Sequence, residues 1–280
     1  MMLQTSKKGF TGFQIKLLAL IFMLFDHIYY FFEFTGKVPV VFSWIGRLSG
    51  GLFLFMMIEG YTHTSNKKKY FLRIYLISIA MGVIRFLLEF IPQLRRGDGF
   101  YAMNGILSTF VILMVMFRGI DYLREKKIIN GILFLIAPIV VPNIIGPFLA
   151  SILTGSLRIY ANILFYTVLP VYTIVEGGIY IIVSGLILYI FNKNRKVQIT
   201  VFGLFQFLWM TILPILFIKP ISLKLMFTDY YEWMGVFAVI FMFLYNGEKG
   251  KSMKKLFYIF YPAHIYILYG LSILLYNLIN

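Results

Sequence analysis

The sequence contains no cysteine and carries little charge, with Asp, Glu, Lys and Arg making up 13% of its 280 residues. Without cysteine there is no disulfide and no thiolate-ligated metal site. A soluble globular chain carries about 25% charged residues. The remainder here is 60% hydrophobic and 19% aromatic, with a mean hydropathy of +0.85. That composition belongs to an integral membrane protein. Acidic residues are the scarcest charges, at 11 against 26 basic ones, for a net charge of +15. In a soluble chain such an excess would suggest a nucleic-acid face. Here the cations fall in short loops between apolar runs, where they act as a topology signal, so no nucleic-acid partner is expected. Also missing are GxxxxGK[ST], HExxH, C-x-x-C and any GxGxxG following a strand. The three histidines lie far apart in sequence, and no metal site is expected.

What is present is a series of helix-length apolar runs. The length admits roughly nine or ten helices of about 20 residues and leaves no room for a separate soluble domain. An all-α, polytopic single domain over 1–280 is therefore expected. Its spans are read at 15–35, 40–62, 70–91, 101–121, 128–152, 174–191, 198–218, 231–247 and 255–279. The start has basic flanks but no A-x-A cleavage site, and reads as a retained first span. Basic loops follow the second, fourth, sixth and eighth spans and precede the first, which sets the N-terminus in the cytoplasm. Arg95 and Arg96, after the third span, are the exception: a tolerated violation or a site for an anionic group. Pro138, Pro142 and Pro147 punctuate the fifth span, and 157–172 is apolar but short, so it is expected to be re-entrant or superficial.

Ionisable residues inside these runs are few enough to weigh singly. Asp26 and His27 end the first apolar run, LLALIFMLFDHIYY, and stand about 100° apart around a helix. An Asp within a membrane helix costs roughly 2.5–3.5 kcal/mol on insertion scales and marks a functional site by default. Arg47 enters the second span at a depth comparable to His27, so the three could meet in one cavity; equally, Asp26 and Arg47 could simply lock two helices together. His264 lies near the middle of the last span, two residues after Pro262, and is a second catalytic candidate or a packing residue. Glu59 and His63 end the second span, with Lys67 and Lys68 beyond them. Asn104 and Glu176 open their spans as substrate contacts or helix caps. Arg85 and Glu89, four apart, are expected to pair on a helix surface.

Taken in order, LALIFMLFDHIYY, IGRLSGGLFLFMMIEGYTHT with the basic loop and YFLRIYL after it, and a final FYIFYPAHIYILYG resemble the TraX family. That family's name-giving member is the pilin acetylation protein of conjugative plasmids. NGILSTF and EGGIYIIVSGLILYIF fit its weaker middle blocks, while 128–173 matches nothing that can be named. Ser49, Gly50 and Gly51 stand where the family usually has an aromatic residue and a proline, which enlarges the space near Arg47. TraX is similar in turn to the acyltransferase-3 enzymes and related membrane acyltransferases. What that wider resemblance implies is a catalytic base at His27, a functional arginine at Arg47 and acetyl-CoA as cytoplasmic donor.

The expected protein is thus a bacterial inner-membrane acyltransferase acting on a peptide, pilin or cell-surface glycan. His27 would be the general base, oriented by Asp26, while Arg47 would hold the acyl oxyanion. Glu59, His63, Lys67 and Lys68 would flank the acetyl-CoA entrance. The competing class is a transporter or channel that uses Asp26, His27 and Arg47 as a substrate or proton site.

Overall fold

The computed structural model describes residues 8–103, 105–217, 222–252 and 254–280, and among these every named element is a helix. The expected contact at Asn104 lies outside the described residues. Seven of the described helices are long and apolar enough to cross a membrane. They are Gly12–Thr35, Val41–His63, Lys67–Phe90, Ile106–Arg124, Ile128–Ile152, Arg195–Phe217 and Leu256–Ile279. The runs read at 174–191 and 231–247 contain shorter helices, Gly178–Ile190 and Tyr231–Phe243.

The chain groups into two compact units, each discontinuous in sequence. One comprises the chain up to Glu59 together with Phe191–His264; the other comprises Gly60–Ile190 together with Ile265–Asn280.

In the first unit, α1 (Gly12–Phe32) opens with a capping box: Thr11 and Gln14 each bond the other's backbone N–H through the side chain. This satisfies two of the donors that a helix start leaves orphaned. The next two go to a strap at 244–249, where Gly12 N–H donates to the Glu248 carbonyl at 2.7 Å and Phe13 N–H to that of Lys249 at 3.0 Å. The final helix, α12 (Lys254–Ile279), follows this strap in the chain. On α1, Ile15, Ala19, Met23, His27 and Phe31 are buried at four-residue spacing and form one stripe. Asp26 falls off it. Against α1 packs α2 (Val41–His63), at a point where a Cβ on Gly46 would collide with the Asp26 side chain.

The same unit holds α8 (Arg195–Phe207), which runs through a π-helical turn, Leu208–Ile212, into α9 (Leu213–Phe217). After α10 (Leu225–Thr228), a 3₁₀ segment, Tyr231–Phe237, leads into α11 (Ala238–Phe243).

The second unit contains α3 (Lys67–Phe90), α4 (Ile106–Arg124), α5 (Ile128–Ile152), α6 (Gly155–Val168) and α7 (Gly178–Ile190). The prolines of α5 do not break it. Its buried residues are Gly131, Pro138, Pro142 and Gly146, while its branched residues point outward. Small residues on the packed face let backbones approach closely, as membrane helices commonly do. Thus the Gly131 carbonyl meets Gly119 of α4, and the Tyr166 hydroxyl of α6 lies where a Cβ on Gly146 would stand.

Arg95 and Arg96 are both engaged within this unit. Arg95 donates to the Leu88 and Glu89 carbonyls at the end of α3, where that helix has carbonyls to satisfy. Arg96 is 5% exposed, bonds Asp98 at 2.8 Å and stacks over Phe100 at 4.2 Å. Arg85 and Glu89 form no ion pair, contrary to expectation: among the described residues Arg85 has no salt bridge and no hydrogen bond.

Candidate functional site

The pair of residues that closes α1 serves two different neighbours. His27, on the buried stripe, turns toward α12; Asp26, about 100° away, turns toward α2. His27 Nδ1 lies 2.6 Å from His264 Nε2, with both residues 5% exposed and their rings within 10° of parallel. His264 Nδ1 in turn lies 2.8 Å from the Phe260 carbonyl, one helical turn earlier.

This chain of contacts fixes the tautomers of the neutral pair. A carbonyl oxygen only accepts, so His264 carries its proton on Nδ1 and presents a lone pair at Nε2. His27 must then donate from Nδ1, which leaves the lone pair on its own Nε2. A base held in one tautomer by a second group is the arrangement general-base catalysis needs. Asp26, expected to orient His27, is instead hydrogen-bonded to Arg47, and accepts from the Ser43 hydroxyl at 3.4 Å. The orienting contact on His27 comes from His264.

Arg47 is 29% exposed along its side chain. Besides bonding Asp26, it donates from Nε to the Ser43 carbonyl at 3.4 Å. Glu232 lies 3.8 Å from its Nη1, and its guanidinium faces the Tyr231 ring at 5.8 Å. Glu232 and Tyr231 escaped the sequence reading because YYEW looks like the polar edge of a span, and only the 3₁₀ segment turns them onto Arg47. Gly235 in that segment sits against the Arg47 carbonyl. On the π turn, the Thr211 hydroxyl is buried with no hydrogen-bond partner among the described residues. Such turns frequently occur at functional sites.

The residues expected at the donor entrance differ in burial and in partners. Glu59 is 6% exposed and bonds Arg195 at 2.9 Å. Arg195 also donates to Gln198 at 3.1 Å and lies over the Phe55 and Tyr245 rings. Glu59 is therefore withdrawn from water rather than solvated. His63, Lys67 and Lys68 fall in the second unit. His63 and Lys68 are exposed there, while Lys67 bonds Asp121 at 2.6 Å and lies over the Tyr61 ring. Asp121 also accepts from the Tyr189 hydroxyl at 2.6 Å. Glu176 caps a helix, though not its own: its carboxylate accepts from Gly105 N–H at 2.6 Å, at the start of α4.

Fold and site together describe a helical protein of the membrane, with an ionisable cluster of Asp26, His27, Arg47 and His264 inside its apolar helices. The family model described as TraX protein matches residues 11–272, and the chain belongs to the TraX family. It is 26% identical over 275 residues to the "Probable fimbrial assembly protein FimC, serogroup H1" of Dichelobacter nodosus, covering 92% of this chain and 94% of that one. A local similarity, 36% over 76 residues, links it to ATP synthase subunit a of Paenarthrobacter aurescens, covering 26% and 29% of the two chains. No solved structure matches.

Proposed function

We propose that this protein is a membrane-embedded acyltransferase, moving an acetyl group from acetyl-CoA to an amine or hydroxyl of a pilin, another peptide or a cell-surface glycan. The single observation that carries the reading is the ordered contact from Phe260 through His264 to His27. It leaves a basic nitrogen on a ring that cannot change tautomer without breaking a buried hydrogen bond. Membership of TraX and the similarity to a fimbrial assembly protein support an acceptor connected with pili.

In this reaction the acceptor nitrogen or oxygen attacks the thioester carbonyl carbon while His27 Nε2 removes its proton. The C–S bond then breaks, and the CoA sulfur leaves as thiolate or takes that proton as thiol. The His27 imidazolium formed in between is stabilised because His264 accepts from its Nδ1–H. Arg47, held in place by Asp26, is the cation proposed for the developing oxyanion. Glu59 bonds Arg195 and Lys67 bonds Asp121; Lys68 and His63 are the residues proposed to meet the CoA phosphates. Nine crossings of the bacterial inner membrane, with the N-terminus in the cytoplasm, complete the proposal.

Membranes containing wild type or His27→Ala, supplied with labelled acetyl-CoA and with peptide and glycan fractions of the host, test it. The expected result is label in one acceptor fraction with wild type only. Equal labelling by both proteins would remove His27 as the base, and no labelling at equal insertion would overturn the acyl-transfer reading.

A further inference from the structure

A small pocket in the second unit is lined by Ser78, Gly82 and Arg85 of α3, by Ser108 of α4, and by Tyr166 and Thr167 of α6. Its polar groups are in surplus on one side only. Arg85 is half-buried, and none of the five N–H groups of its guanidinium donates a hydrogen bond among the described residues. The hydroxyls of Ser78 and Ser108 lie 2.9 Å apart, so one donates to the other and the second retains a proton to give. The Tyr166 hydroxyl donates to no described residue. Thr167 is spent, its proton going to the Ile163 carbonyl at 2.9 Å.

Among the described residues no carboxylate lines the pocket. Glu89, one turn along α3, makes no ion pair with Arg85, and the Glu176 carboxylate is held by the Gly105 N–H. An arginine within a membrane-length helix ordinarily pairs, because an uncompensated cation there is costly. Here no described residue supplies the compensating charge. Arg85 lies five residues before Phe90, the end of α3, or about 7–8 Å along the helix axis. That places it near one end of the span, and a guanidinium with flanking hydroxyl donors suits a tetrahedral oxyanion.

The pocket itself, at about 20 Å³, has room for about one water. We infer that the half-buried Arg85 and the hydroxyls around it bind a phosphate group at the pocket's opening, either of a phospholipid headgroup or of a soluble phosphate ester. The site shares no residue with the histidine pair, so it stands or falls separately from acyl transfer.

Native mass spectrometry of the purified protein in neutral detergent tests this, with phosphatidylglycerol, glycerol phosphate and oleate as the three probes. Wild type is expected to retain phosphatidylglycerol, glycerol phosphate or both, and Arg85→Gln to lower that occupancy at least tenfold. Ser108→Val, which keeps the cation but fills the pocket, is expected to lower it as well, so the result does not depend on one variant folding. Retention of the lipid alone assigns a headgroup, and retention of glycerol phosphate assigns a soluble ester. Binding of neither phosphate probe, undiminished binding by both variants, or capture of oleate in preference to them would overturn the inference.

Discussion

His27 and His264, 237 positions apart in the chain, share one buried hydrogen bond of 2.6 Å. Because His264 is itself anchored to the Phe260 carbonyl, the bond has a direction, with His27 as donor and His264 as acceptor. The direction can be tested by substitution. Glutamine at 264 still offers an oxygen to accept from His27 Nδ1, whereas leucine offers nothing. His27→Ala is expected to lower acetyl transfer by about 10²–10⁴-fold, the usual contribution of a general base. His264→Leu should approach that loss and His264→Gln should retain most activity, measured at equal membrane levels. Equal losses in the two His264 variants would make it a packing residue.

Gly46 and Gly50 lie one turn apart on α2, in opposite circumstances. A methyl group at Gly46 would run into Asp26, while nothing lies within 4 Å of one at Gly50. Gly46→Ala should therefore separate Asp26 from Arg47 and lower the melting temperature in detergent, by an amount corresponding to about 1–3 kcal/mol for overpacking. Gly50→Ala is expected to be neutral or to gain up to about 1 kcal/mol from helix propensity. A reversed order would contradict the close approach of α1 and α2.

The Glu59–Arg195 pair is expected to behave as an interior ion pair, since Glu59 is almost wholly withdrawn from water. Removing one partner, as in Arg195→Met, should destabilise the protein by roughly 1–3 kcal/mol, the cost of taking the cation away from a buried carboxylate. Adding Glu59→Leu should recover much of that loss. Thermal unfolding of the two single variants and the double variant measures the coupling, and purely additive losses would refute it.

Outside the helices, the hydrogen bonds from Arg96 hold the Asp98 carboxyl below the usual carboxylate range. A carboxylate with a lowered folded value contributes stability that is present above its unfolded value, about 3.9, and is lost as pH falls through the lowered one. The loop at 91–103 should thus remain protected from hydrogen exchange at neutral pH and open below about pH 4. Asp98→Asn is expected to weaken that protection already at neutral pH and to remove its acid dependence.

Long apolar runs were the legible part of the fold. The second, fifth and last spans, read at 40–62, 128–152 and 255–279, coincide within a residue with helices Val41–His63, Ile128–Ile152 and Lys254–Ile279. Hydropathy reports burial in an apolar phase, and such runs have little choice but to be helical. It does not report where a helix tightens or stops. Positive φ at Gly177 and Gly178 therefore shortens the run at 174–191, and the 3₁₀ segment Tyr231–Phe237 takes up the first seven residues of the run at 231–247. The ionisable residues of the site also stood out, because charge is rare here. Their partners did not. Helical periodicity places Asp26 and His27 on different faces but names no neighbour for either, so the exchange of the expected Asp26–His27 contact for Asp26–Arg47 and His27–His264 needed the tertiary structure.

The histidine bond joins the helix made first to the one made last among those described. Ribosomes add about 5–20 residues per second, so on the order of 10–50 s pass between the synthesis of His27 and that of His264. Throughout that interval the first helix must be held without its His264 contact, by the insertion machinery or by water. The chemistry proposed for this pair would therefore switch on only after His264 has been translated and inserted, and until then a nascent protein would carry its reactive nitrogen in an untuned form.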